Sequence, residues 1–162
     1  MANGDTADVG PDDRYPLAPT RPEGWRGRLI PAQQTSIWDW PTSLNLETTR
    51  GRALLVHATN PADIEFEDQS EIRIRAVDFV VYPDTVENQQ TGELQPGCRV
   101  VLIDAEGKTF KTTSEFVAHK LAQVLQLYTR SEWQAGIPFI IRRRPSKKHR
   151  GGSYHQLEVD CG

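Results

Sequence analysis

Residues Arg99 to Ile141 read RVVLIDAEGKTFKTTSEFVAHKLAQVLQLYTRSEWQAGIPFII, and the hydrophobic period changes twice within them. Arg99–Ile103 is an apolar run of strand length. Asp104-Ala105-Glu106-Gly107 reads as a turn, with Gly107 supplying a left-handed position, and Lys108–Lys111 returns as a short strand. Thr112 with Glu115 three residues on matches a capping box. Val117, Leu121, Val124 and Tyr128, with Leu125 beside them, then repeat at helical spacing and make one apolar face of roughly four turns. Arg130–Gly136 ends that helix, and Ile137–Ile141 is apolar and strand-like again.

Upstream, Ser70–Tyr82 reads SEIRIRAVDFVVY. Ile72, Ile74 and Ala76 alternate with Glu71, Arg73 and Arg75, the period of a half-buried strand. The phase blurs from Val77 to Val81, as a bulge or burial of both faces would require in a long curved strand. Ala53–Ala58 is expected to be a short buried strand, and Asp84–Gly97 a polar loop. Downstream, Ser153–Val159 alternates Tyr154, Gln156 and Glu158 against His155, Leu157 and Val159. The order is β-β-β-α-β-β, mainly β with one helix. It predicts an OB-like five-stranded barrel, the helix between the third and fourth strands setting it apart from a plain sandwich.

Three segments follow. Residues 1–24 are acidic and proline-rich and are expected to be disordered. Residues 25–49 carry Trp25, Trp38 and Trp40 between prolines and predict an extended arm lying on the domain. Residues 50–160 form the barrel. No apolar run approaches a membrane span, and MANGDTADVGPDD at the start has no apolar signal core, so a cytoplasmic chain is expected. Cys98 and Cys161 have neither paired nor metal-ligand spacing, so no disulfide framework, metal or cofactor is expected.

A net charge of −3 conceals an asymmetry. Between Glu132 and Glu158 the chain carries Arg142, Arg143, Arg144, Lys147, Lys148 and Arg150 and no acid; these are six of 19 basic residues, leaving 13 against 22 acidic ones elsewhere. This segment joins the last two strands, where an OB-like barrel places a loop flanking its binding face. A polyanion contact follows, most directly a single-stranded nucleic acid, which needs cations along its phosphates and aromatic faces for its bases. Gly151 and Gly152 let the loop move, Tyr154 is the stacking candidate, and Arg73, Arg75 and Tyr82 are candidates for an opposite wall. The bland alternatives are a solvated hairpin tip and a core tyrosine. Asp104 and Glu106 sit in an ordinary turn, His57, His119, His149 and His155 show no ligand spacing, and no catalytic constellation stands out, so an enzyme is not expected.

The stretch VVLIDAEGKTFKTTSEFV, a helix, and then GIPFIIRRRPSKKHRGGSYHQLEV resembles the single-stranded DNA-binding proteins of phages and mobile elements. In those a Thr/Ser-rich segment opens the helix and a basic hairpin precedes the final strand. The likeness covers about Arg50 to Asp160. It implies an OB-like fold and non-catalytic protection of single strands in replication or transfer. Single-stranded DNA is then the partner, with RNA, a homo-oligomer and a replication partner left open. The competing reading is a protein-interaction or assembly module of a phage or plasmid system that uses the Trp-rich arm.

Overall fold

One strand organises the sheet. Glu71–Glu87 runs unbroken for 17 residues: its start alternates, Phe79–Val81 is buried on both faces, and its end is polar and more exposed. The computed structural model describes residues 31, 33–88, 90–148 and 150–162; the expectations for residues 1–24, Trp25 and His149 fall outside them. In chain order the elements are α1 (Thr49–Thr59), β1 (Ile64–Glu65), β2 (Glu71–Glu87), β3 (Leu94–Asp104), β4 (Thr109–Thr112), α2 (Glu115–Leu127), α3 (Arg130–Ala135), β5 (Ile137–Pro145) and β6 (Ser153–Val159).

They build one six-stranded sheet in the order β1-β4-β3-β2-β5-β6. All neighbours are antiparallel except β1 and β4. β2 changes partners along its length, pairing Glu71–Ala76 with β5 and Ala76–Glu87 with β3. The register shifts between Ala76 and Asp78. That bulge flips the strand's phase: Ile72, Ile74 and Ala76 face the inner core before it, Phe79 and Val81 after it, while Val80 faces the other side. Both causes anticipated for the blurred alternation are therefore present. Handing β2 from one neighbour to the other curls the sheet into an OB-like half-barrel.

The curled edges meet without strand pairing. A 3₁₀ turn, Phe66–Asp68, follows β1, and its Phe66 carbonyl lies 3.0 Å from His155 Nε2 on β6. Phe66 is fully buried and packs edge-on against the imidazole at 5.8 Å. Inside, α2 closes the half-barrel with Val117, Ala118, Leu121, Ala122, Val124 and Leu125. A second, smaller core lies on the outer face, where Leu44, Leu55 and Ala58 cover Val80, Val101 and Ile103. Pro41–Ser43 lies along β2 there: Val81 N donates to the Pro41 carbonyl at 2.7 Å and Ser43 N to the Phe79 carbonyl at 3.2 Å.

Five expectations are corrected. Ala53–Ala58 is helix, not strand. Its apolar run hides a helical spacing, since Gly51, Leu55 and Ala58 are the buried residues and Thr48 Oγ1 caps the Gly51 N–H. Asp84–Gly97 is mostly strand, with Asp84 opposite Gly97 and Glu87 opposite Leu94, and among the described residues only 88 and 90–93 lie outside the strands. Its polar composition reflects a hairpin end that projects into solvent, where neither face needs apolar side chains. The Thr112–Glu115 capping box does not form. Thr112 is held in β4, its hydroxyl bonds Glu67, and Ser114 is the N-cap. Thr129 and Glu132 make a capping box instead and open α3, so the described residues hold three α-helices rather than one. The strands number six because Ile64–Glu65 adds to the β4 edge.

Candidate nucleic-acid interface

β5 leaves the core as it lengthens. Ile137, Phe139, Ile140 and Ile141 are buried, and Arg143, Arg144 and Pro145 are exposed. The β5–β6 hairpin continues to Pro145 opposite Ser153, and Ser146 N closes the loop on the Gly152 carbonyl at 2.9 Å. Gly151 sits at φ 83° with open space around it, a conformation other residues adopt only with strain. Lys147, Lys148 and Arg150 stand exposed on this loop, and among the described residues none of them takes part in an ion pair.

Nine of the residues singled out from the sequence separate into two groups. Arg142 spans Glu71 and Glu158 at 3.1 and 2.8 Å. Arg73 spans Glu71 and Asp160, both at 3.1 Å. Hydrogen bonding to Arg142 is the main cause that holds the Glu71 carboxyl below its ordinary value. Arg75 donates to the Gly136 carbonyl at 3.1 Å. These three guanidinium groups are engaged on the outer face by partners within the protein. The others gather at the hairpin end. Arg143 Nε donates to Ser153 Oγ at 2.9 Å and Arg144 Nε to Gln156 Oε1 at 3.1 Å, neutral partners that orient the guanidinium without cancelling its charge. Tyr154 lies opposite Arg144 in the register.

Tyr154 meets a residue the sequence reading passed over. Phe116, at the head of α2, lies with its ring centroid 5.0 Å from that of Tyr154, the planes inclined at 47°. Phe116 is 63% exposed. Beyond this ring contact, Phe116 leaves most of its apolar surface to the water side of the helix. Lys120 is one turn further along and lines the same depression. The signal was available, because Phe116 and Lys120 fall off the Val117–Leu121–Val124 stripe.

Two contiguous grooves flank this aromatic pair. The first, of about 790 Å³, lies between the head of α2 and the hairpin loop; its charged lining is Lys120, Lys147, Lys148 and Arg150 beside His155, with no acid. The second, of about 440 Å³, lies between the 88–93 loop and the turn into α2. Gln90, Phe116, Ser153, Tyr154 and His155 line both. His155 is largely buried at the seam, and burial pushes its pKa down, so the ring adds no full charge near neutral pH.

Of the remaining candidates, Asp104 has a structural role and His57 lies 3.7 Å from Asp63. Asp104 Oδ1 accepts from the Glu106 and Lys108 backbone N–H groups, both at 2.9 Å, which organises the turn. Among the described residues no three His, Cys, Asp or Glu side chains cluster as a metal site would need. No described helix is long and apolar enough to cross a membrane.

A family model described as phage single-stranded DNA-binding protein, of the Phi29 type, matches residues 39–158, about three-quarters of the chain. The match takes in β1 to β5, all of β6 but Val159, and the residues that line both grooves. No curated protein and no solved structure matches.

Proposed function

We propose that this chain, which belongs to the phage single-stranded DNA-binding protein family, holds a DNA single strand across the Phe116–Tyr154 pair, with the phosphates along the hairpin loop. The observation that carries this reading is the exposed aromatic pair beside a groove whose cations have no acid among them. Lys120, Lys147, Lys148 and Arg150 neutralise phosphates, and Arg143 and Arg144 extend the charge down the hairpin. Phe116 and Tyr154 give the bases a π-face, which a duplex cannot offer them without unstacking. Arg73, Arg75 and Arg142 support the hairpin from behind through their protein contacts. The role is binding, with no bond made or broken, and it protects strands exposed during replication or transfer of a phage or mobile element in the cytoplasm.

Fluorescence anisotropy with a labelled oligo-dT strand and its duplex, at several salt concentrations, tests this. Four to six phosphate contacts give a slope of log K against log salt of roughly −3 to −4. Binding that is absent at low salt, or equally tight for the duplex, would overturn the proposal.

A further inference from the structure

The two grooves differ in charge. The first is cationic throughout. The second is lined by Glu67, Glu87 and Glu115 against one cation, Arg143, with the amides of Asn88, Gln90 and Gln95 beside them. On the outer face five acids are ion-paired: Glu71 and Glu158 meet Arg142, Asp160 meets Arg73, and Asp84 and Glu65 meet Arg99. The groove acids are not. Arg143 turns to Ser153 instead, among the described residues no hydrogen bond or ion pair occupies the carboxylates of Glu87 and Glu115, and Glu67 uses one oxygen on Thr112 and Thr113. Unpaired carboxylates at the side of a polyanion site repel phosphate, so they would weaken binding if the backbone ran over them.

Resting on the strand-binding reading above, we infer that the second groove is the base-facing side of the site and that it favours bases carrying an exocyclic amino group. A strand laid over Phe116 and Tyr154 with its phosphates in the first groove directs its base edges into the second. An ionised carboxylate only accepts hydrogen bonds. Cytosine offers its N4 amino group there, a pairing that carboxylates make with this base. Uracil and thymine present the O4 carbonyl at the same place, which a carboxylate repels. The acids thus act twice, setting which side the backbone takes and which pyrimidine fits.

Oligo-dC and oligo-dU of equal length isolate this contact. They differ in that amino or carbonyl group and in the adjacent N3, an acceptor in cytosine and an N–H in uracil; both stack weakly, and neither carries the thymine methyl. Their affinities for the full chain are measured by anisotropy at pH 7.5, where cytosine is not protonated. The expected result is roughly three- to tenfold tighter binding of oligo-dC, the effect of one partly solvated hydrogen bond gained and one repulsion avoided. The double substitution Glu87→Gln and Glu115→Gln removes charge from side chains with no structural partner. It should bring the two affinities together, mainly by strengthening oligo-dU. Lys147→Ala should weaken both strands alike and keep their ratio. Equal affinities in the unmodified protein, or a ratio that survives the double substitution, overturn this inference and leave strand binding standing. If neither strand binds at low salt, strand binding itself fails, and the base preference fails with it.

Discussion

The rings of Phe116 and Tyr154 stand 5.0 Å apart at an inclination of 47°, joining the head of α2 to the final strand. They are 38 positions apart in the chain, and neither is part of the inner core. The pair is too far from parallel to be a self-stack, and Phe116 keeps most of its surface in water. An incoming base can therefore cover apolar area that the fold itself leaves uncovered.

Replacing either ring tests that function apart from folding. Phe116→Ala and Tyr154→Ala should each weaken single-strand binding by about 1–3 kcal/mol, the range for losing one stacked base. Because the rings touch, the double variant should lose less than the sum. Tyr154→Phe should bind almost normally. Phe116→Ala should leave the urea midpoint nearly unchanged, since an exposed ring contributes little burial. A large drop in stability with no change in affinity would assign the pair to packing instead.

The cations separate by salt dependence. Lys147→Ala, Lys148→Ala and Arg150→Ala should each reduce the magnitude of the salt slope by about 0.7, one phosphate contact apiece. Arg142→Ala should leave the slope almost unchanged, because that guanidinium is shared by Glu71 and Glu158. Anisotropy titrations of the four variants over a common salt range make the comparison. A slope that falls as much for Arg142 as for Lys147 would contradict the division.

Acid should loosen the barrel seam through His155. Burial is the main cause that lowers its pKa, while Glu67 and the hydrogen bond to the Phe66 carbonyl raise it and Arg143 lowers it. A lowered pKa means that the unfolded chain takes up a proton at its ordinary value before the folded chain does. Stability contributed by the neutral ring is thus full above that ordinary value, about 6.5, and declines as pH falls below it toward the folded pKa. Urea midpoints of the unmodified protein and His155→Asn, measured at pH 7.5 and 5.5, should differ in their pH dependence, with the variant the flatter. Parallel behaviour would rule His155 out as the cause.

The outer core makes residues 40–46 part of the packed body. Leu44 is buried against Val80, Val101 and Ile103, and Trp40 stacks on Tyr82 at 5.4 Å. Leu44→Ala should cost about 2–5 kcal/mol, the range for truncating a buried leucine. Removing residues 1–49 should likewise destabilise the barrel rather than leave it intact, because it uncovers Val80, Val101 and Ile103. Denaturation of both variants measures this; unchanged midpoints would show that the outer core contributes nothing.

Much of the architecture was legible before any coordinates. The alternation of Ile72, Ile74 and Ala76, the stripe from Val117 to Tyr128 and the DAEG turn at Asp104 all match the structure, because each reports burial at a period set by local backbone geometry. Ala53–Ala58 misled because a short apolar run has no period of its own, and only the outer face of β2 and β3 decides that Leu55 and Ala58 are its buried members. Thr112 misled because the sheet claims its backbone before the helix begins.

By itself the sequence determined the long strand from Glu71, the helix from Glu115 and the two strands that close the chain, together with the acid-free basic segment and the tyrosine beside it, since these depend on neighbours within a few residues. Tertiary structure alone decided which arginines keep an uncancelled charge. Glu71 reaches Arg142 across 71 positions because β2 and β5 pair in that register, and Asp160 reaches Arg73 across 87. It alone also brought Phe116 to Tyr154 and divided the groove between cations and acids. Charge cancellation and ring contact act over a few ångströms, and those distances are set by strand register, which residues remote in the chain impose on one another.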